Sequence, residues 1–175
     1  MVPKSFIPKI MKQTLNLLTV FFLTISLFSC STDTLDDEQN AVSNKDVVIP
    51  EAKTIEIEIL ELINQHRISV GLNPLESIDV IKGQAYSHTD YMIEIDEVNH
   101  DYFYNRKAYL QANANAQEVS ENVAYGYSSA NSVVNAWLNS EGHRHNIEGD
   151  FTHFEVSAEK NQNDKWYFTN IFIKK

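Results

Sequence analysis

The sequence predicts an α+β domain in which layers of helices enclose a small antiparallel sheet. Two observations carry that expectation. Apolar residues recur at steps of three and four through the middle of the chain, and the C-terminal stretch switches to strand alternation rich in aromatic and β-branched residues. A third bounds it: 175 residues, 43% of them hydrophobic, suit one domain of ordinary size with an appendage.

The appendage comes first. Residues 1–29 hold Lys4, Lys9 and Lys12, no acidic residue, and an apolar run from Leu15 to Phe28 that falls short of the ~20 residues a spanning helix needs. A basic start, a short apolar core and small residues read as a secretory signal. The only cysteine, Cys30, sits where cleavage is expected, and Leu27-Phe28-Ser29-Cys30 resembles the lipobox of bacterial lipoproteins. Cys30 is therefore the expected lipidation site and mature N-terminus, and the membrane is its expected partner. Removing residues 1–29 leaves a net charge of −13, against −10 for the whole chain. Residues 30–49 show no apolar period and carry Asp33, Asp36, Asp37, Glu38 and Asp46, which predicts an acidic tether ahead of a domain over 50–175.

Within that domain, Ile55, Ile59, Leu62, Ile63, His66 and Val70 keep the helical period. Pro50 suits a first turn and Gly71 a stop, so the first helix is expected over 50–70. Asn73-Pro74 turns the chain into a second helix over 77–96, with Ile78, Ile81, Ala85, His88 and Met92 on one face. Shorter helices are expected over 105–114 and over 131–139, the latter with Val133, Val134 and Trp137 as its stripe and Ser132 as a cap. Residues 122–125 read as a short strand. Phe154, Val156 and Ala158, a polar loop over 159–165, and the run from Trp166 to Ile173 read as a closing hairpin.

Composition excludes some functions. An acidic chain lacks the positive surface that holds a phosphate backbone, which argues against nucleic acid as a partner. One cysteine excludes an intrachain disulfide framework and every Cys-pair metal motif. Of the six histidines, His66 and His88 fall on apolar stripes and read as core hydrogen-bonders. His145 lies two residues from His143 and points away from it on a helix, while His153 alternates with Phe154 and faces away from the core. His100 and His143 remain, with Glu121 between them, at spacings that only a fold can close.

Several motifs occur in order. They are Asn64-Gln65-His66-Arg67 with Gly71-Leu72-Asn73-Pro74-Leu75, then Ala85, His88 and Asp90-Tyr91-Met92. Asn99-His100-Asp101 with Arg106 and Ser120-Glu121-Asn122-Val123-Ala124-Tyr125-Gly126 follow. Last comes the run from Trp137 to Ile147 containing Ser140-Glu141-Gly142-His143-Arg144. Together they resemble the CAP superfamily (cysteine-rich secretory proteins, antigen 5 and pathogenesis-related 1), in its bacterial disulfide-free branch, over roughly residues 55–173. The resemblance implies an α-β-α sandwich with a central cleft in which two histidines and acidic residues converge. It places His100, Glu121 and His143 there, with Ser140 standing where the second acid of the family sits.

Two imidazoles and one carboxylate suit Zn²⁺ or another divalent cation with an open position. The same trio suits general acid–base work, or a buried network pinning helix to sheet. Arg67, Asn64, Asn122 and Arg144 read as scaffold hydrogen-bonders. The chain offers no cysteine nucleophile in the domain, and Ser120 and Ser140 lack an elbow or triad context. The expectation is an extracytoplasmic, lipid-anchored binding module of the cell envelope. Its cleft, formed by His100, Glu121, Ser140 and His143, would take a divalent metal or a small, lipid or protein ligand. The alternative is a metal-dependent hydrolase of peptidase type using that cleft.

Overall fold

The computed structural model describes residues 48–175. The expected signal over 1–29, Cys30 and nearly all of the tether lie outside the described residues.

Helix α1 (Thr54–Ser69) starts four residues after Pro50. The boundary is set by Glu56, whose carboxylate reaches back to accept the Lys53 backbone N–H at 2.6 Å and so supplies the cap. It ends where Gly71 adopts a φ of +84° and the Leu72 N–H donates back to the Arg67 carbonyl at 2.9 Å. Strand β1 (Glu76–Ser77) comes next, and helix α2 (Asp79–Ile95) starts two residues later than expected because Ser77 belongs to β1. Helix α3 (Phe103–Ala114), strand β2 (Glu118–Tyr125), helix α4 (Ala130–Asn139), helix α5 (Glu141–Glu148) and the hairpin of β3 (His153–Lys160) and β4 (Trp166–Lys174) complete the order.

The strands form one sheet in the order β1-β3-β4-β2. Here the antiparallel expectation is corrected to a mixed sheet: β1 pairs parallel to β3, through Glu76 with His153 and Ser77 with Phe154. Two residues are too short to show a period, which is why the sequence conceals them. Helix α5 is hidden for a similar reason, since Ile147 is its one fully buried residue.

Alternation along the hairpin sorts side chains into two cores. Phe154, Val156, Ala158, Phe168 and Phe172 pack against Ile59 and Ile63 of α1 and Trp137 of α4. Ile171 and Ile173 face the other way, onto Ile81 and Ala85 of α2 and Leu110 of α3. Helices therefore cover both faces, and the α+β sandwich follows from the period-2 alternation.

The free edges of the sheet are closed by side chains. On β3, the Ala158 N–H donates to Glu56 Oε1 at 2.7 Å and the Val156 carbonyl accepts from Lys82 Nζ at 2.8 Å. Lys82 also pairs with Glu56 Oε2 at 2.7 Å. On β2, the Val123 carbonyl accepts from Trp137 Nε1 at 3.2 Å and the Glu121 carbonyl from Asn146 Nδ2 at 3.3 Å. Unpaired edge groups invite another strand, and these donors and acceptors occupy them.

Candidate functional site

The site lies along the outer edge of β2. Strand alternation sends Glu121 toward the layer of α2 and α3 and Asn122 toward α5, where Asn122 Nδ2 donates to the His143 carbonyl at 3.1 Å. Glu121 is all but sealed, its side chain 1% exposed.

Its partners come from the segment that starts α3. Arg106, itself buried, grips the carboxylate with two hydrogen bonds, Nε to Oε2 and Nη2 to Oε1, both 2.8 Å. This is the bidentate fork that makes an Arg–carboxylate pair strong and geometrically fixed. The third guanidinium nitrogen donates to the Asp101 carbonyl at 2.7 Å and ties the loop before α3 to the same arginine. His100 Nδ1 lies 2.9 Å from Glu121 Oε1, while its ring is 52% exposed. His88, on α2, lies beneath: its Nε2 is 2.9 Å from the Asn99 carbonyl and 3.7 Å from Glu121 Oε1.

Burial raises the Glu121 pKa, but the hydrogen bonds from His100 and Arg106 outweigh it, and the carboxyl is held below its ordinary value of 4.5. Burial is also the leading cause for the two less exposed histidines. It lowers His88 below 6.5 against the opposing pull of Glu121, and lowers His143 with help from the charge of His100. The site is thus one locked anion with a buried cation, an exposed imidazole and two imidazoles held toward the neutral form.

A cleft of about 690 Å³ opens beside it. Residues 100–105 form one wall, and residues 119–121 with Asn146 form the other. Of the expected site residues, His100 and Glu121 meet here. His143 sits in the first turn of α5, half-buried, coupled to His100 by charge, and outside the cleft lining. Ser140 is the junction between α4 and α5, with its N–H on the Trp137 carbonyl, and it too lies outside the lining. Ser120 is in the wall, and its buried Oγ finds no partner among the described residues.

His88 is the buried hydrogen-bonder its apolar stripe predicts, and its nearness to Glu121 is what the stripe does not show; Arg106 has no role legible in the sequence. The signal for Arg106 was its strand-to-helix partnership with Glu121, which no local spacing reveals. His66 is half-buried and pairs with Glu148 Oε1 at 2.9 Å, joining α1 to α5. Arg67 is buried and donates to the Ile147 and Gly149 carbonyls at 2.6 Å and 3.0 Å, and Asn64 exchanges two hydrogen bonds with Leu75.

The Glu121 carboxylate is not free for a divalent cation. Three N–H groups already occupy the two oxygens of Glu121, and the guanidinium beside it repels a second cation. Among the described residues no group of three or more His, Cys, Asp or Glu side chains is disposed to hold a metal.

Comparison with known proteins bears on the fold and the family. The sequence profile described as "Cysteine-rich secretory protein family" (CAP) matches residues 60–172. The chain is 33% identical over 126 residues, 70% of its length, to the "Uncharacterized membrane protein YlbC" of Bacillus subtilis (strain 168), spanning 35% of that protein. It is 32% identical over 105 residues, 58% of its length, to the "Uncharacterized protein YkwD" of the same organism, spanning 41% of it. The chain thus spans well under half the length of these curated relatives. Among solved structures, an extracellular protein containing an SCP domain from Bacillus anthracis str. Ames is 27% identical with a TM-score of 0.60, covering 69% of this chain and 40% of that one. An outer surface protein from Borrelia burgdorferi shares the fold with a TM-score of 0.61 at 24% identity, covering 67% of this chain and 90% of that one.

Proposed function

The chain belongs to the cysteine-rich secretory protein (CAP) family, and from that premise we propose that it is an extracytoplasmic binding domain. Its cleft takes a small organic ligand, and Cys30 holds it on a membrane by a lipid. One observation carries the reading: the acid at the head of the cleft, Glu121, is committed through both oxygens to Arg106 and His100. A carboxylate so engaged, and held in its ionised form, is a poor general acid or base, because each new partner must displace an existing one. What remains available to a ligand is the exposed His100 ring with the exposed Tyr102 and Tyr104 rings of the same wall. A concave surface with few convergent polar groups is what recognition requires.

An envelope location draws support from the relatives, one described as a membrane protein and another as extracellular. No helix among the described residues is long and apolar enough to cross a membrane, and in this reading the attachment is the lipid on Cys30. Cys30→Ser should move the protein from the membrane to the soluble fraction. Retention in the membrane fraction would remove the anchor from this account.

Ligand binding is tested by saturation-transfer NMR against a library of small organic compounds in the presence of EDTA. The expected result is a set of binders whose signals vanish in His100→Ala. A library without binders, or binding that persists in His100→Ala or needs added metal, contradicts the proposal.

A further inference from the structure

The geometry points to a neutral oligosaccharide as the ligand class of the cleft, an inference that rests on the binding reading above. The wall opposite β2 carries three consecutive aromatic residues, Tyr102, Phe103 and Tyr104, and Tyr102 and Tyr104 are 63% and 80% exposed. Two rings that large, left in water on one wall of a cleft, mark an interaction surface. They are also held in place. The Tyr91 ring meets Tyr102 edge-on at 5.3 Å between centroids, and Phe103 meets Tyr104 at 5.7 Å. Tyr91 Oη donates to Asp101 Oδ2 at 3.0 Å, and the Asp101 N–H to Asn99 Oδ1 at 2.9 Å. Tyr102 adopts a φ of +58°, a left-handed conformation that a bulky residue keeps only where its surroundings enforce it. The enforcement is visible in the Arg106 bond to the Asp101 carbonyl and in the bond from the Phe103 N–H to the His100 carbonyl. Phe103 packs against the core of α2 and α3, while Tyr102 and Tyr104 stay exposed at the mouth of the cleft.

Three ligand chemistries compete for such a surface. An acyl chain needs aliphatic walls closed around it, yet Val119 is the one aliphatic residue in the lining. A polyanion meets the exposed Asp101 on a chain whose net charge is −10, which repels it. A neutral sugar ring presents a flat C–H face that stacks on a tyrosine and a rim of hydroxyls that both donate and accept. The exposed His100 ring, on the same wall as the tyrosines, sets a polar group beside them.

The test is isothermal titration of the whole exported chain, kept soluble by Cys30→Ser, with four probes. These are cellotetraose, the β-1,4 tetramer of N-acetylglucosamine, a sulfated tetrasaccharide and sodium palmitate. At least one neutral tetrasaccharide should bind at a single site, with the sulfated probe silent. Tyr104→Ala should weaken that binding at least about tenfold, since it removes a stacking face. Tyr104→Trp, which preserves a stacking face, should retain it. Tyr104 is so exposed that either change leaves the unfolding midpoint in place. Palmitate binding that depends on His100, with both neutral sugars silent, overturns the sugar inference and leaves the binding cleft standing. Silence from all four probes overturns the sugar inference as well, and the NMR library then decides the fate of the cleft itself. Sugar binding indifferent to Tyr104→Ala places the ligand elsewhere and contradicts the inference.

Discussion

At the residue scale, the pair of Glu121 and Arg106 organises everything around it. Both side chains are buried and each satisfies the other, so removing one partner leaves an uncompensated charge. Arg106→Met should therefore cost about 3–5 kcal/mol in urea unfolding. A loss under about 1 kcal/mol would mean that the pair is ornamental. Acid should weaken the fold in two stages. His88 and His143 have folded pKa values below their ordinary 6.5, so the unfolded chain takes up protons first as the pH falls through that value, and stability declines with it. Glu121, depressed below 4.5, adds a second decline when the pH falls below that value. The urea midpoint should accordingly drop between pH 7.5 and pH 5.5 and again below pH 4.5. A midpoint that rises on acidification through the first window would reverse the assigned signs. His100 and Glu121 were legible because short motifs surround both. Arg106 and His88 were not, because what gives them a role is a contact between α3, α2 and β2 that lies outside any sequence window.

Elements became legible in proportion to their length and regularity. Helix α1 repeats its apolar step over four turns, and the hairpin alternates over β3 and β4, so both announce themselves. Strand β1 has two residues and α5 one fully buried side chain, and neither length nor period can signal them. The start of α1 at Thr54 departs from the expected one for another reason. Pro50 is a local signal for a first turn, whereas Glu56 is fixed by α2 and β3 and captures the Lys53 N–H instead. Glu56 also seals the open edge of β3, so its loss should act on the sheet as well as on the helix. Glu56→Ala leaves Lys82, 4% exposed, without its anion and the Ala158 N–H without its acceptor. A penalty of about 3–5 kcal/mol for the stranded charge is expected, together with association through the bared edge. Light scattering at the unfolding midpoint checks the second effect. A fully monomeric variant of unchanged stability would refute the sealing role.

At the scale of the whole molecule, the layered α+β architecture was readable from two periodicities, and the family from motifs that no single helix or strand contains. The cleft was readable only in outline. Its chemistry depends on which nitrogens have claimed the Glu121 oxygens, and the same three residue types serve a metal or a locked ion pair depending on one arginine from another element. In the proposed reading, the bidentate guanidinium tips that competition toward recognition of an organic ligand. Calorimetric titration of the chelator-treated protein with Zn²⁺ at pH 7.5 tests the claim most directly. No saturable one-to-one heat is expected in the micromolar range, and the same flat trace is expected in Glu121→Gln. A one-to-one isotherm with micromolar affinity that disappears in Glu121→Gln would contradict the claim, and would make the cleft a metal centre.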